Sequence, residues 1–218
     1  MFKKFFQQID LYLFIPSALI ILLSFFVLSS FDSELARVQL LFAFTGYLFY
    51  LILMKTHPSI LKEYAWHLYL IGLFFLVIVF AIGEASHGAN RWIPIWGNIN
   101  FQPSEFAKPV IIVLLSTIFS RYQTIHTSLI VKTLIPTLMY FFLIYFQPDL
   151  ATAIVFLLLW MLCIYFSDTS FKVFLASILV LTALIATLSP IAWNNMHDYQ
   201  KNRILVYLEP ERDPLGTG

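Results

Sequence analysis

Apolar runs long enough to matter to a bilayer alternate with short polar stretches along the whole chain. The runs are Leu11–Phe31, Val38–Met54, Tyr64–Ile82, Ser104–Phe119, Thr133–Phe146, Leu150–Phe166 and Val173–Trp193. About 20 consecutive apolar residues suffice for a helix to cross a hydrocarbon layer about 30 Å thick. The pattern therefore predicts an all-α fold: a polytopic membrane helix bundle with about seven transmembrane helices, forming a single membrane domain over 1–218. The first run follows Lys3 and Lys4, as a secretory signal would. It is too long for a signal's apolar region and lacks a small-x-small cleavage site before Asp32, so it reads as the first span, with Pro16 tolerated near its start. The connectors are an acidic link (Asp32, Glu34, Arg37), the segment KTHPSILKE, a long island, the polar Ser120–Lys132, the corner Gln147-Pro148-Asp149 and the turn SDTSFK. The tail Asn194–Gly218 is polar, and its part up to Leu208 has the pattern of a helix lying on the membrane surface, stopped by Pro210.

Composition strengthens this picture. Residues are 60% hydrophobic and 11% charged, against about 25% charged in soluble domains. A net charge of +1 gives no steering field for nucleic acid. The lone Cys163 lies in an apolar run, so no disulfide framework exists. Charge also orients the chain. With the N-terminus in the cytoplasm, the inner segments hold Lys3, Lys4, Lys55, Lys62, Arg121, Lys132 and Lys172, while the outer segments up to the seventh span hold Arg37 and Arg91. That distribution obeys the positive-inside rule. The island, the Gln147–Asp149 corner and the tail then share the outer side.

The island, Gly88–Lys108, gathers Arg91, Trp92, Trp96, Gln102, Glu105 and Lys108 between two strongly apolar runs. It is either a wet surface loop running into a helix or the rim of a site. The triplet Phe-Gln-Pro occurs at Phe101–Pro103 and again at Phe146–Pro148, with an acid following each time, Glu105 and Asp149. Proline suits a first helical turn, and an acid there complements the helix dipole. Both triplets then open helices running from outside to inside. One reading is two well-capped helix starts; the sharper one is a shared outer cavity into which both ends point.

Glu105 and Lys108 lie three apart on one helix face. They read as a self-neutralising pair with the lysine snorkelling outward, or as a charge pair lining a watery cavity, since intramembrane ionisable groups mark functional sites. Arg91 could grip phosphate or diphosphate with its bidentate fork, or anchor at headgroups. Trp92, Trp96 and Phe101 read first as interface anchors. His197 beside Asp198 is weak evidence for a base, Asp168 reads as a solvated turn residue, and His57, His67, His87 and His126 lack metal-ligand spacing. No P-loop, GxSxG, HExxH or CxxC motif exists. Two classes survive: a carrier or flippase for an anionic lipid, and a membrane transferase acting on a lipid-linked sugar.

GANRWI…FQPSEFAK, then FQPDLATA, then MHDYQKNRILVYLEPERDPLGTG, in this order, resemble the SEDS family (shape, elongation, division and sporulation) over the whole chain, and its elongation branch more than its division branch. The resemblance implies a peptidoglycan glycosyltransferase. It would polymerise lipid II, a disaccharide-pentapeptide on undecaprenyl diphosphate, at the outer face of the bacterial cytoplasmic membrane. Its partners would be a class B penicillin-binding protein and other proteins of the elongation complex. The family pattern falls on Arg91, Glu105, Lys108 and Asp149 as cavity residues, with Trp92, Gln102, Pro103, Ser104, Gln147 and Pro148 in support. Arg91 and Lys108 would stabilise the leaving diphosphate, and a divalent cation such as Mg2+ or Mn2+ could assist. Glu105 would orient Lys108, and Asp149 would hold the sixth helix in register. The family has about ten spans, and its catalytic aspartate lies in an outer loop beyond the position of Gly218. The expectation is therefore a fragment, inactive alone as a polymerase, with a lipid II flippase or an inactive scaffold as alternatives.

Overall fold

A computed structural model of the chain describes residues 10–86, 89–96, 99–122, 127–167, 169–195, 201–202 and 205–206. Seven helices are found among them: α1 (Leu11–Phe31), α2 (Ser33–Lys55), α3 (Pro58–Ile82), α4 (Pro103–Phe119), α5 (Thr127–Phe146), α6 (Leu150–Tyr165) and α7 (Phe171–Asn195). Between α3 and α4 lie three short strands, β1 (Glu84–Ser86), β2 (Ala89–Trp96) and β3 (Ile99–Phe101). The contacts divide the chain into two compact units, Met1–Glu63 and Tyr64–Gly218.

The first unit is an antiparallel helix pair. Asp10 caps α1, accepting from the Tyr12 amide at 2.9 Å, and Asp32 caps α2, accepting from Glu34 and Leu35. Asp32 explains why α2 begins at Ser33 and not near Val38. The acids that read as a link are a cap and a first turn, and a wet helical turn cannot be told from a linker by hydropathy. Ser17 Oγ and Tyr47 Oη hydrogen-bond at 3.1 Å, and Phe14 packs on Tyr47. Most of the large apolar side chains here are exposed, as suits contact with lipid tails.

The second unit holds the core. It forms where α3, α4, α5 and α6 bury Leu76, Ile111, Leu114, Leu115, Tyr140, Phe156 and Trp160 completely. Polar groups inside it are satisfied, as the low dielectric demands. Tyr140 Oη donates to the Tyr69 carbonyl at 2.8 Å, and Tyr69 Oη donates to the Pro136 carbonyl at 3.1 Å. Thr133 Oγ1 donates to helix carbonyls of its own preceding turn and accepts from Trp160 Nε1 at 3.1 Å. The Tyr69 and Tyr140 rings stack with centroids 4.7 Å apart, and Phe156 meets Tyr140 edge-on.

Gly72 makes that stack possible. A Cβ there would collide with Tyr140 Oη and lie 3.2 Å from Cζ. Gly72→Ala is expected to lower stability by about 1–2 kcal/mol, an overpacking cost net of alanine's better helix propensity. Thermal unfolding in detergent measures it. Tyr140→Phe in the same background removes the colliding oxygen and should recover part of the loss. No recovery would mean that the ring does not lie over Gly72.

Among the described residues, four helical stretches are long and apolar enough to cross a membrane: Leu11–Phe31, Ser33–Lys55, Pro58–Ile82 and Ser128–Phe146. Two expected spans prove longer. The third helix begins at Pro58 within the supposed linker, and α5 begins at Thr127, so Lys132 lies in its second turn. Conversely α4 and α6 have only 17 and 16 residues.

The described part of the island before Gln102 is paired strand. Two antiparallel pairings share β2: Glu84–Ser86 pairs with the first half of that strand and Ile99–Phe101 with the second. The meander satisfies backbone groups locally, which an irregular loop at a membrane boundary could not do as cheaply. Phe75 of α3 packs edge-on against Phe101 of β3 and Phe106 of α4, seating the meander on the bundle. His197, Asp198 and Pro210 of the expected interfacial tail lie outside the described residues, as does His87.

Candidate functional site

The two Phe-Gln-Pro triplets open helices in different ways. In the first, Gln102 occupies the cap position without a side-chain cap bond, Pro103 begins α4 and Glu105 sits in the first turn. In the second, the acid itself is the cap: Asp149 Oδ1 accepts from the Thr152 amide at 3.2 Å, and α6 starts at Leu150. Gln147 is buried, and its Nε2 donates to the Leu76 carbonyl at 2.8 Å, pinning the α5–α6 corner to α3. Pro103 and Ser104 are likewise buried, against the bundle. Pro148 completes the corner between Gln147 and the cap.

Asp149 has a second duty. Its Oδ2 lies 3.2 Å from Arg91 Nη1, so one carboxylate closes α6 and holds β2. The Asp149 side chain is 7% exposed and that of Arg91 27%. With both partners partly withdrawn from water, removing either one would leave the other's charge uncompensated. Arg91 Nε is buried and has no hydrogen-bond partner. The guanidinium thus keeps donor capacity beyond what Asp149 uses. Trp92, half-buried, follows it on β2.

A second pair stands on α4. Lys108 Nζ donates to Glu105 Oε1 at 2.7 Å. The lysine is 28% exposed and the glutamate 58%, so the carboxylate faces out and the ammonium sits deeper. Lys108 is five residues past the helix start, about 7.5 Å along the axis.

The expected residues therefore form two ion pairs at one end of the second unit, the end that carries the meander. Arg91 pairs with Asp149, and Lys108 with Glu105; the two acids do not pair with a common cation. A metal does not fit this donor set. Among the described residues no three His, Cys, Asp or Glu side chains cluster, and both carboxylates are already held by cations. What the arrangement offers is two cations, each oriented by an acid, for an anionic group at the membrane boundary.

Two cavities, of about 590 and 400 Å3, open at the opposite end of α4. The larger is lined by Ile112, Ser116, Phe119, Leu159 and Cys163. The smaller is lined in part by Arg121 and Lys132, which the sequence used only to orient the chain.

Comparison with known proteins gives one answer. The family model described as cell cycle protein, FtsW/RodA/SpoVE, matches residues 3–218. Peptidoglycan glycosyltransferase MrdB of Escherichia coli (strain K12) is 34% identical over 180 residues, 79% of this chain and 46% of that protein. The probable peptidoglycan glycosyltransferase FtsW of Wigglesworthia glossinidia brevipalpis is 29% identical over 84% of this chain and 47% of its own length. The chain thus spans about half the length of the curated relatives it matches. Among solved structures, a chain from a peptidoglycan synthase complex superposes with a TM-score of 0.76 at 28% identity, over 95% of this chain and 61% of that one. The rod shape determining protein RodA of Thermus thermophilus gives 0.65 at 27% identity, over 80% and 59%. With its apolar helices and these relatives, this is a multi-pass membrane protein, and the chain belongs to the FtsW/RodA/SpoVE family of cell cycle proteins.

Proposed function

We propose that this chain is the substrate-binding membrane portion of an elongation-type peptidoglycan glycosyltransferase. Its substrate would be lipid II, presented at the outer face of the bacterial cytoplasmic membrane. The meander end would face outward, and a class B penicillin-binding protein would be its working partner within the elongation complex. One observation carries the reading: Arg91 and Lys108 stand at the same end of the bundle, each held by an acid at the start of a helix.

The reaction needs that arrangement. A sugar hydroxyl attacks an anomeric carbon, the bond from that carbon to the diphosphate oxygen breaks, and the electron pair leaves with the lipid diphosphate. The hydroxyl proton goes to a base that no residue of this chain is assigned. Negative charge grows on the leaving diphosphate, and fixed cations in a low-dielectric boundary stabilise it most where it develops. Arg91 offers a planar fork suited to phosphate oxygens, and Lys108 a point charge. Glu105 keeps Lys108 in place, and Asp149 keeps Arg91 in place.

The test joins this chain to the C-terminal half of the Escherichia coli relative and reconstitutes it in vesicles with labelled lipid II and the cognate penicillin-binding protein. Glycan polymer is the expected product. Movement of the label across the membrane without polymer would replace the proposal with transport. Neither product, with the partner still copurifying, would replace it with a scaffold.

A further inference from the structure

The smaller cavity is an unused site of different character. It lies at the far end of α4, whose 17 residues put it about 25 Å from the meander. Arg121 and Tyr122 from the turn after α4, Lys132 from the second turn of α5, and Trp66, Ile135 and Met139 line it. Its volume, about 400 Å3, is within the range of ligand pockets.

Three observations define the occupant. First, the cavity is cationic and uncompensated. Arg121 and Lys132 are exposed, and among the described residues neither has an ion-pair partner and no acid lines the wall. Second, the cations are placed by ordered backbone. The Arg121 and Tyr122 amides donate to Ile118 and Phe119 carbonyls at 3.2 and 3.1 Å, closing the helix end on which the guanidinium sits. Third, the rest of the wall is apolar and open to the side. Trp66, Ile135 and Met139 are each about half exposed, and Tyr69 presents only its ring because its hydroxyl donates to the Pro136 carbonyl. A soluble anion would use the two cations and leave that apolar wall bare. A lipid uses both.

We propose that this cavity binds an anionic phospholipid of the leaflet at that end, with its headgroup phosphate between Arg121 and Lys132 and one acyl chain along Trp66, Ile135 and Met139. Basic pockets between membrane helices, flanked by interfacial aromatics, have this chemistry. The distribution of Lys and Arg makes the leaflet the cytoplasmic one. The site does not depend on the chemistry at the meander end.

Native mass spectrometry of the delipidated 218-residue chain tests it, with equal amounts of dioleoyl phosphatidylglycerol and dioleoyl phosphatidylcholine. One phosphatidylglycerol should be retained at least about tenfold over phosphatidylcholine, the preference expected of two basic contacts to an anionic lipid. Arg121→Gln with Lys132→Gln should erase the preference, whereas Lys172→Gln, in the first turn of α7, should keep it. Met139→Trp should reduce retention of the lipid by filling the chain groove, and it keeps the test open should the double variant not fold. Equal retention of both lipids would overturn the proposal. So would a preference that survives loss of both cations, or displacement by glycerol 3-phosphate, which would mark a soluble-anion site.

Discussion

Replacing Asp149 with alanine is expected to cost about 2–4 kcal/mol of stability, the largest loss from any single side chain at the meander end. Two effects combine. Loss of the α6 cap costs about 1 kcal/mol. Loss of the counter-charge strands Arg91, and breaking a fully buried pair costs about 3–5 kcal/mol; the figure here is lower because the guanidinium is 27% exposed. The two effects separate by substitution. Asn caps a helix as well as Asp, so Asp149→Asn should recover about 1 kcal/mol of the loss while leaving Arg91 unpaired. In an Arg91→Ala background, Asp149→Ala should cost only the cap. Thermal unfolding of the four proteins in one detergent forms the cycle, and coupling of about 1–3 kcal/mol is expected for partners in contact. Additive losses would mean that the ion pair contributes nothing.

Lys108→Ala should reduce polymerisation of lipid II by about 10²-fold or more in the chimeric enzyme, the scale on which removing one donor to a developing anion acts. The effect should fall on kcat, because the charge it meets grows during bond cleavage. Glu105→Gln should cost less, about tenfold, since the glutamate acts through the lysine's position. Lys108→Arg should restore part of the rate if charge is what matters. Stability should hardly change, because the pair is 28% and 58% exposed and such pairs are worth about 0–1 kcal/mol. A Lys108→Ala enzyme with unchanged kcat would remove the lysine from the chemistry and leave it as a snorkelling anchor.

Much of the bundle was legible because lipid imposes one rule, an uninterrupted apolar run, and residues such as Leu11–Phe31 obey it to the residue. The errors fell where helices leave the lipid. Ser33–Arg37 and Thr127–Lys132 are helical, yet their polarity is that of a linker, and only a cap such as Asp32 separates the cases. The strands of the island were hidden for a different reason. Trp92, Ile93, Pro94, Ile95 and Trp96 are apolar without alternation, so no period of two betrays them, and the meander is held by pairing with short neighbours. The site divided similarly. Glu105 and Lys108 meet by helical spacing alone, which any sequence discloses. Arg91 and Asp149 are far apart in sequence, and only the return of α5 to the meander end joins them.

The brevity of α4 and α6 carries its own consequence. At 1.5 Å per residue they span about 25 Å, against hydrocarbon about 30 Å thick. Their depth is fixed by neighbours, because Ala107, Ile111 and Leu114 of α4 are fully enclosed by protein. A bilayer that follows the pair would thin by about 5 Å around it, at a modest cost per ångström. Such a dimple would lower the headgroup plane toward the first turns of both helices, and would bring water to Lys108 without any need for the protein to open.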